Sequence, residues 1–139
     1  MRIFLAGAAG AIGRRLTPLL TLMGHEVTGT TRSADKASAI EVMCARPVVV
    51  DAFDAVALKE AVAAARPDVV IHQLTDLPAA PGTPGYEEGQ RRNNRLRREG
   101  TRNLMDAAHA AGVKRVIAQS IAFVYAAGAT PHHESDPSF

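Results

Sequence analysis

With 139 residues, 47% of them hydrophobic, the chain has the length for one domain with a full core. Lys and Arg number 16 against 14 Asp and Glu, an excess too small to argue by itself for a nucleic-acid partner, and no apolar run approaches the ~20 residues that cross a bilayer. The one cysteine, Cys44, excludes an internal disulfide. Met1-Arg2 and the apolar residues behind it have the outline of a short signal peptide, but the glycines and Arg14-Arg15 that follow interrupt it, so the chain reads as soluble and cytoplasmic.

Residues Arg2 to Ala6 form a short apolar run with a β-branched and an aromatic member, which predicts a buried strand. The run leads straight into Gly7-Ala8-Ala9-Gly10-Ala11-Ile12-Gly13. From there Ile12, Leu16, Leu19, Leu20 and Met23 recur at helical spacing. A strand, a glycine turn and a helix make a phosphate cradle. The glycines let the backbone turn tightly and approach a pyrophosphate, and the helix N-terminus offers unpaired N–H groups and the positive end of its dipole. Gly13 lets the helix pack close to the sheet.

Gly24-His25 ends that helix, and Glu26 to Thr30 reads as a second strand. Ser33 caps a helix running to about residue 44, with Ala34, Ala37, Ile40 and Val42 as its apolar positions and Cys44 as a small filler near its end. A third strand over 47–50 and a third helix over 51–65 follow, the helix stopped by Arg66-Pro67. The fourth strand covers 68–73, and a loop of Pro, Gly and Thr covers 76–85. A long fourth helix over 88–111 ends at Gly112. Its core stripe is Leu96, Gly100, Leu104, Ala107 and Ala111, and Arg91, Arg92, Arg95, Arg97, Arg98 and Arg102 make a solvated face without the aromatic partners of a nucleic-acid site. The fifth strand covers 113–120, and residues 121–139 read as irregular. His132, His133 and Glu134 have no second ligand cluster at metal spacing, so no metal is expected.

Strands alternating with helices specify an α/β fold: a Rossmann-like, doubly wound parallel sheet of five strands in order 3-2-1-4-5, with helices on both faces. The ligand crevice of such a sheet lies at the carboxyl ends of its strands.

The Gly-x-x-Gly-x-x-Gly spacing and the segment from Val116 to Tyr125, which is similar to a fifth strand with a Ser-Ser-x-x-x-Val-Tyr-Gly tail, resemble the NAD-dependent epimerase/dehydratase family. That family lies in the extended or atypical branch of the short-chain dehydrogenase/reductase superfamily. The resemblance covers essentially the whole chain but only the N-terminal half of such a protein. It implies that residues 1–139 are a single NAD(P)-binding domain without the C-terminal substrate-binding region. Gly7, Ala9, Gly10, Ala11, Ile12 and Gly13 then face the pyrophosphate.

At the end of the second strand an NAD-selective site places an acid on the ribose hydroxyls. Here Thr31 and Arg32 stand there, with Ser33 and Lys36 close behind. A guanidinium forks onto a phosphate far better than onto a hydroxyl pair, so the pattern favours NADP over NAD, unless Arg32 is a solvated residue before a helix. Asp51 matches the family's adenine-contacting aspartate, followed by Ala52; the alternative is a helix cap, and the two roles are compatible. Leu74 and Thr75 stand where relatives carry a small pair beside the cofactor. His72 reads as a structural histidine. Asn94 resembles the family's helix asparagine, a helical turn further from Gly100-Thr101 than the pattern places it. Gln119 ends the fifth strand within reach of the cofactor.

The superfamily's reaction is carried by a Tyr-x-x-x-Lys pair with a Ser or Thr, the lysine lowering the tyrosine pKa so that the phenolate moves a proton while hydride moves at the nicotinamide. Aligned on Val124-Tyr125, the Ser/Thr position falls on Ile121, Ser120 is the remaining candidate hydroxyl, and Tyr125 is the tail tyrosine. No Tyr-x-x-x-Lys occurs in these residues. Two functions are therefore open: the cofactor-binding part of an epimerase, dehydratase or reductase, without turnover as it stands, or a non-enzymatic NADP sensor. The expected partners are the dinucleotide, an undefined small-molecule substrate and a second copy of the chain paired through the outer edge of the fifth strand. Neither nucleic acid nor a membrane is expected.

Overall fold

In the computed structural model, which describes residues 1–78, 80–121, 125–128 and 131–138, the strands are β1 (Arg2–Ala6), β2 (Glu26–Thr31), β3 (Arg46–Val49), β4 (Val69–His72) and β5 (Arg115–Ala118). They form one parallel sheet in the expected order β3-β2-β1-β4-β5. β1 is central: Phe4 lies opposite Thr28 on one side and Val70 on the other. Its side chains alternate between two cores. Ile3 and Leu5 pack with Val27, Ile40 and Ile71 on one face, and Phe4 and Ala6 with Leu58, Val62, Val70 and Leu104 on the other. A strand buried on both faces has no polar position to spare, which is why it reads as a continuous apolar run.

The first face is covered by α1 (Gly13–Leu22) and α2 (Ala37–Val42), the second by α3 (Ala55–Ala65) and α5 (Thr101–Ala110), which also pack on each other. α1 turns a different stripe inward from the one its apolar residues suggest. Ile12, Leu19 and Met23 are exposed, while Gly13 and Thr17 are buried and Leu16 and Leu20 pack on the core. A glycine starts that face because the head of the helix lies against the backbone of the loop at Gly7 and Ala8, and the fully buried Thr17 hydroxyl is satisfied by donating to Gly13 O at 2.7 Å.

The second helix is shorter than expected. A 3-10 turn over Ala34–Lys36 precedes α2, and of its apolar positions only Ile40 is buried; Val42 is 83% exposed. Ser33 makes no side-chain cap. Its amide instead donates to Thr31 Oγ1 at 3.2 Å. Cys44 is exposed, with φ of +57°, and ends the helix rather than filling its core. The cap of α3 is Asp54, whose Oδ1 accepts from Ala57 N at 2.9 Å, not Asp51. Asp51 closes a turn ahead of it by accepting from Phe53 N at 2.9 Å.

The long fourth helix is continuous but not uniform. α4 (Tyr86–Arg95) passes through a π-helical turn, Leu96–Gly100, into α5. The wider turn changes the phase of the inward face, so that Gly89, Asn93, Leu96 and Gly100 are buried along it and Ala111 is exposed beyond its end. Gly112, at φ +71°, closes α5 as expected. Among the described residues no strand pairs with the outer edge of β5, and Ile117 is half exposed. In the tail, Tyr125 pairs with Ser138 in an isolated antiparallel bridge and its ring stacks on His132 at 4.9 Å, so this stretch closes on itself. Val124, on which the family alignment hinges, lies outside the described residues. Among the described residues no helix is long and apolar enough to cross a membrane.

Candidate functional site

A cleft opens at the carboxyl ends of β1, β2, β3 and β4, where the sheet order reverses. The loop between β1 and α1 forms its floor. Gly7 has φ of +93°, and a Cβ there would sit 2.7 Å from Gln73 O, so no other residue fits. Gly10 differs: a Cβ would meet only Gly7 O, at 3.1 Å, and would otherwise enter the cleft. A Cβ on Gly13 would strike the loop itself, at Gly7 O and within 2.6 Å of Ala8 O. The close approach that Gly13 permits is thus of helix to loop rather than of helix to sheet.

Among the described residues no acceptor is placed for the amides of Ala11, Ile12 and Gly13, which run from the loop into the first residue of α1. Unpaired N–H groups ahead of a helix are donors free for another partner. The loop is also braced from outside: Gly7 N donates to the buried Thr30 Oγ1 at 3.1 Å.

The end of β2 supplies the cations. Arg32, Ser33 and Lys36 line the cleft beside Thr30 and Thr31. The Thr31 hydroxyl accepts from Ser33 N and donates to Ser33 O at 3.3 Å, so it is spent on its own turn. Arg32 is 65% exposed, and its Nη1 lies 4.0 Å from Asp76 Oδ2. From β3 come Val50, Asp51, Ala52 and Phe53, and from β4 Gln73, Leu74 and Thr75. The guanidinium of Arg95 sits over the Phe53 ring at 4.2 Å.

Of the residues singled out in the sequence, Gly7, Ala9, Gly10, Thr31, Arg32, Asp51, Ala52, Leu74 and Thr75 line this one cleft. Ala11, Ile12 and Gly13 follow Gly10 in the same loop and are not among the residues that line it. Asn94 does not face it. The inward amide is the neighbouring Asn93, which is buried and accepts from Asp76 N at 3.0 Å, while Asn94 is exposed. Consecutive helical residues point about 100° apart, and Asn93 is the one in line with Gly89 and Leu96. Carrying the Leu96–Gly100 stripe back by one turn would have found it. Gln119 and Ser120 are exposed beyond β5 and do not line the cleft.

Thr30, Val50, Phe53, Gln73 and Leu96 complete the lining without having been anticipated; the first four flank residues that were. His72 is buried with both ring nitrogens partnered: Nδ1 accepts from Leu74 N at 3.2 Å, which leaves Nε2–H to donate to Thr101 Oγ1 at 2.8 Å. Burial, with Arg97 a lesser cause, holds its pKa below the ordinary value. A neutral, doubly bonded imidazole positions the β4 loop and has no lone pair left to offer a substrate.

The chain matches the NAD(P)H-binding family over residues 7–139. The 3-diazoavenalumate denitrifying reductase of a Streptomyces species is 44% identical over 136 residues, which are 98% of this chain and 43% of that protein. A UDP-glucose 4-epimerase from Stenotrophomonas maltophila, solved with bound NAD and formylated UDP-arabinopyranose, superposes with a TM-score of 0.82 at 20% identity, covering 100% of this chain and 43% of the other. A putative epimerase from Burkholderia cenocepacia superposes with a TM-score of 0.71 at 30% identity, covering 99% and 43%. The chain thus spans less than half the length of each of these relatives. With its glycine loop at the head of a 3-2-1-4-5 sheet and a match from residue 7 to residue 139, the chain belongs to the NAD(P)H-binding family, on the fold shared by the epimerases and reductases of the short-chain dehydrogenase/reductase superfamily.

Proposed function

We propose that the chain is the NADP-binding part of a reductase of the short-chain dehydrogenase/reductase type. The observation that carries the reading is a single cleft that brings the glycine loop, at Gly7, Ala9 and Gly10, together with Arg32, Ser33 and Lys36 after β2, with a threonine and no carboxylate at position 31. The amides of Ala11, Ile12 and Gly13 suit a pyrophosphate, and the cations suit a phosphate on the adenosine ribose. Asp51 and Ala52 suit the adenine edge. Leu74 and Thr75, which line the cleft after β4, suit a place beside the ribose. The dinucleotide, when bound, supplies the hydride. The 44% identity to the Streptomyces reductase supports reduction over epimerisation.

These 139 residues contain no Tyr-x-x-x-Lys pair, so they bind the dinucleotide without turning a substrate over. A second reading, a non-enzymatic NADP sensor, is favoured by Ile121 at the position of the superfamily's catalytic Ser or Thr. Titration with reduced nicotinamide dinucleotides, followed by their fluorescence, tests binding. Saturable binding that Gly10→Val removes supports the proposal, and the absence of saturable binding by the unaltered chain overturns it.

A further inference from the structure

We propose that Asp76 is an internal counter-ion that limits how strongly the cleft takes a phosphate on the adenosine ribose, by competing with that phosphate for Arg32. The inference rests on the dinucleotide reading above and concerns selectivity at the same site. Asp76 follows β4 and meets the end of β2 through Arg32, with Oδ2 4.0 Å from Nη1. The same oxygen accepts from Arg92 Nε at 3.3 Å, and the Asp76 amide donates to the buried Asn93 at 3.0 Å. Arg92 is itself held by Glu88 at 3.3 Å. Asp76 is therefore anchored to α4 through backbone and side chain, and its link to Arg32 is the long one. Arg32 is also the more exposed partner, at 65% against 23%, and so the one free to turn.

A phosphate monoester carries up to two charges and offers a guanidinium a bidentate set of oxygens, which a carboxylate 4.0 Å from one nitrogen does not. On binding, Arg32 exchanges Asp76 for the phosphate, while Asp76 keeps Arg92 and Asn93. The carboxylate opposes this exchange in two ways: it holds Arg32 back, and it repels the incoming anion. A ribose bearing only hydroxyls feels neither effect. Asp76 thus makes the preference for a phosphorylated ribose smaller than Arg32 alone would give.

Calorimetric titration of the chain with adenosine 2′,5′-bisphosphate and with AMP tests this in four proteins: unaltered, Asp76→Asn, Arg32→Ala and the double variant. Asn keeps the size of Asp76 and an oxygen for Arg92. Asp76→Asn should tighten the bisphosphate by about two- to fivefold and leave AMP unchanged, the range expected for an exposed pair. The gain should fade with added salt and shrink when Arg32 is alanine. Unchanged or weaker bisphosphate binding by Asp76→Asn overturns the inference, as does a gain of undiminished size in the Arg32→Ala background. Failure of the unaltered chain to bind either nucleotide overturns the dinucleotide reading, and this inference with it.

Discussion

The hydroxyl of Thr30 accepts the hydrogen bond of the Gly7 amide at 3.1 Å, and this contact joins the end of β2 to the first glycine of the loop after β1. Thr30 is 3% exposed and Gly7 is half-buried, so the bond lies largely out of solvent at the edge of the cleft. The two halves of the cleft, glycine floor and cationic rim, are fixed to each other through this bond.

Thr30→Val, which keeps the shape and removes the acceptor, should leave the Gly7 N–H unpaired at a cost of about 1–3 kcal/mol. Dinucleotide affinity should fall with stability, because the loop that offers the amides is no longer held. Thr30→Ser should restore both. Urea denaturation read beside a cofactor titration checks the pair of variants; full stability in Thr30→Val would show that the bond contributes little.

The glycines of the loop should separate under mutation. Gly10→Val adds atoms that meet little but the cleft, so the protein should fold with near-normal stability and lose the nucleotide. Gly13→Val drives a side chain into the backbone at Gly7 and Ala8, which cannot yield without moving the loop. It should destabilise by at least the 1–3 kcal/mol typical of overpacking. Thermal unfolding followed by circular dichroism distinguishes them, and equal melting temperatures would contradict the difference in surroundings.

His72 makes stability depend on pH. Buried and neutral when folded, it titrates below the 6.5 of an unperturbed imidazole. The unfolded chain therefore binds a proton that the folded chain refuses as pH falls through 6.5, and stability is lost in that direction. The contribution is fully present above pH 6.5 and declines until the folded-state value is reached. Denaturation of the unaltered chain and of His72→Gln at pH 7.5 and 5.5 checks it, with the smaller pH response expected in the variant. An equal response in both would assign the dependence to other groups.

Strand order, direction and the position of the crevice were legible in the chain because they rest on strong signals: a β1 apolar on every face-forming position, a glycine turn between strand and helix, and strands spaced by helices. Less legible was the face each helix turns inward. In α1 and at its C-terminal end the apolar residues Leu19 and Met23 are exposed while Thr17 is buried, its hydroxyl satisfied within the helix by Gly13 O. The π turn at Leu96–Gly100 has no marker in residue type, and along the inward face that continues from it Asn93 is buried while Asn94 is exposed. The pairing of Arg32 with Asp76 joins residues far apart in the chain, and no local pattern announces it.

The outer edge of β5 should carry self-association. Its backbone groups face no neighbouring strand among the described residues, and Ile117 is 50% exposed on it. The chain should run as a dimer or larger in light scattering, and Ile117→Lys should shift it toward monomer. A monomer at all concentrations in the unaltered chain would contradict this.

The preference for NADP over NAD at Arg32 is the claim on which the account turns, and calorimetric titration of both dinucleotides into the unaltered chain and into Arg32→Ala tests it most directly. A charge-assisted contact to the ribose phosphate contributes about 1.5–3 kcal/mol, so NADP should bind about tenfold or more tightly than NAD, and Arg32→Ala should bring the two together by weakening NADP alone. Equal affinities in the unaltered chain, or an NADP preference that survives the loss of Arg32, would contradict it.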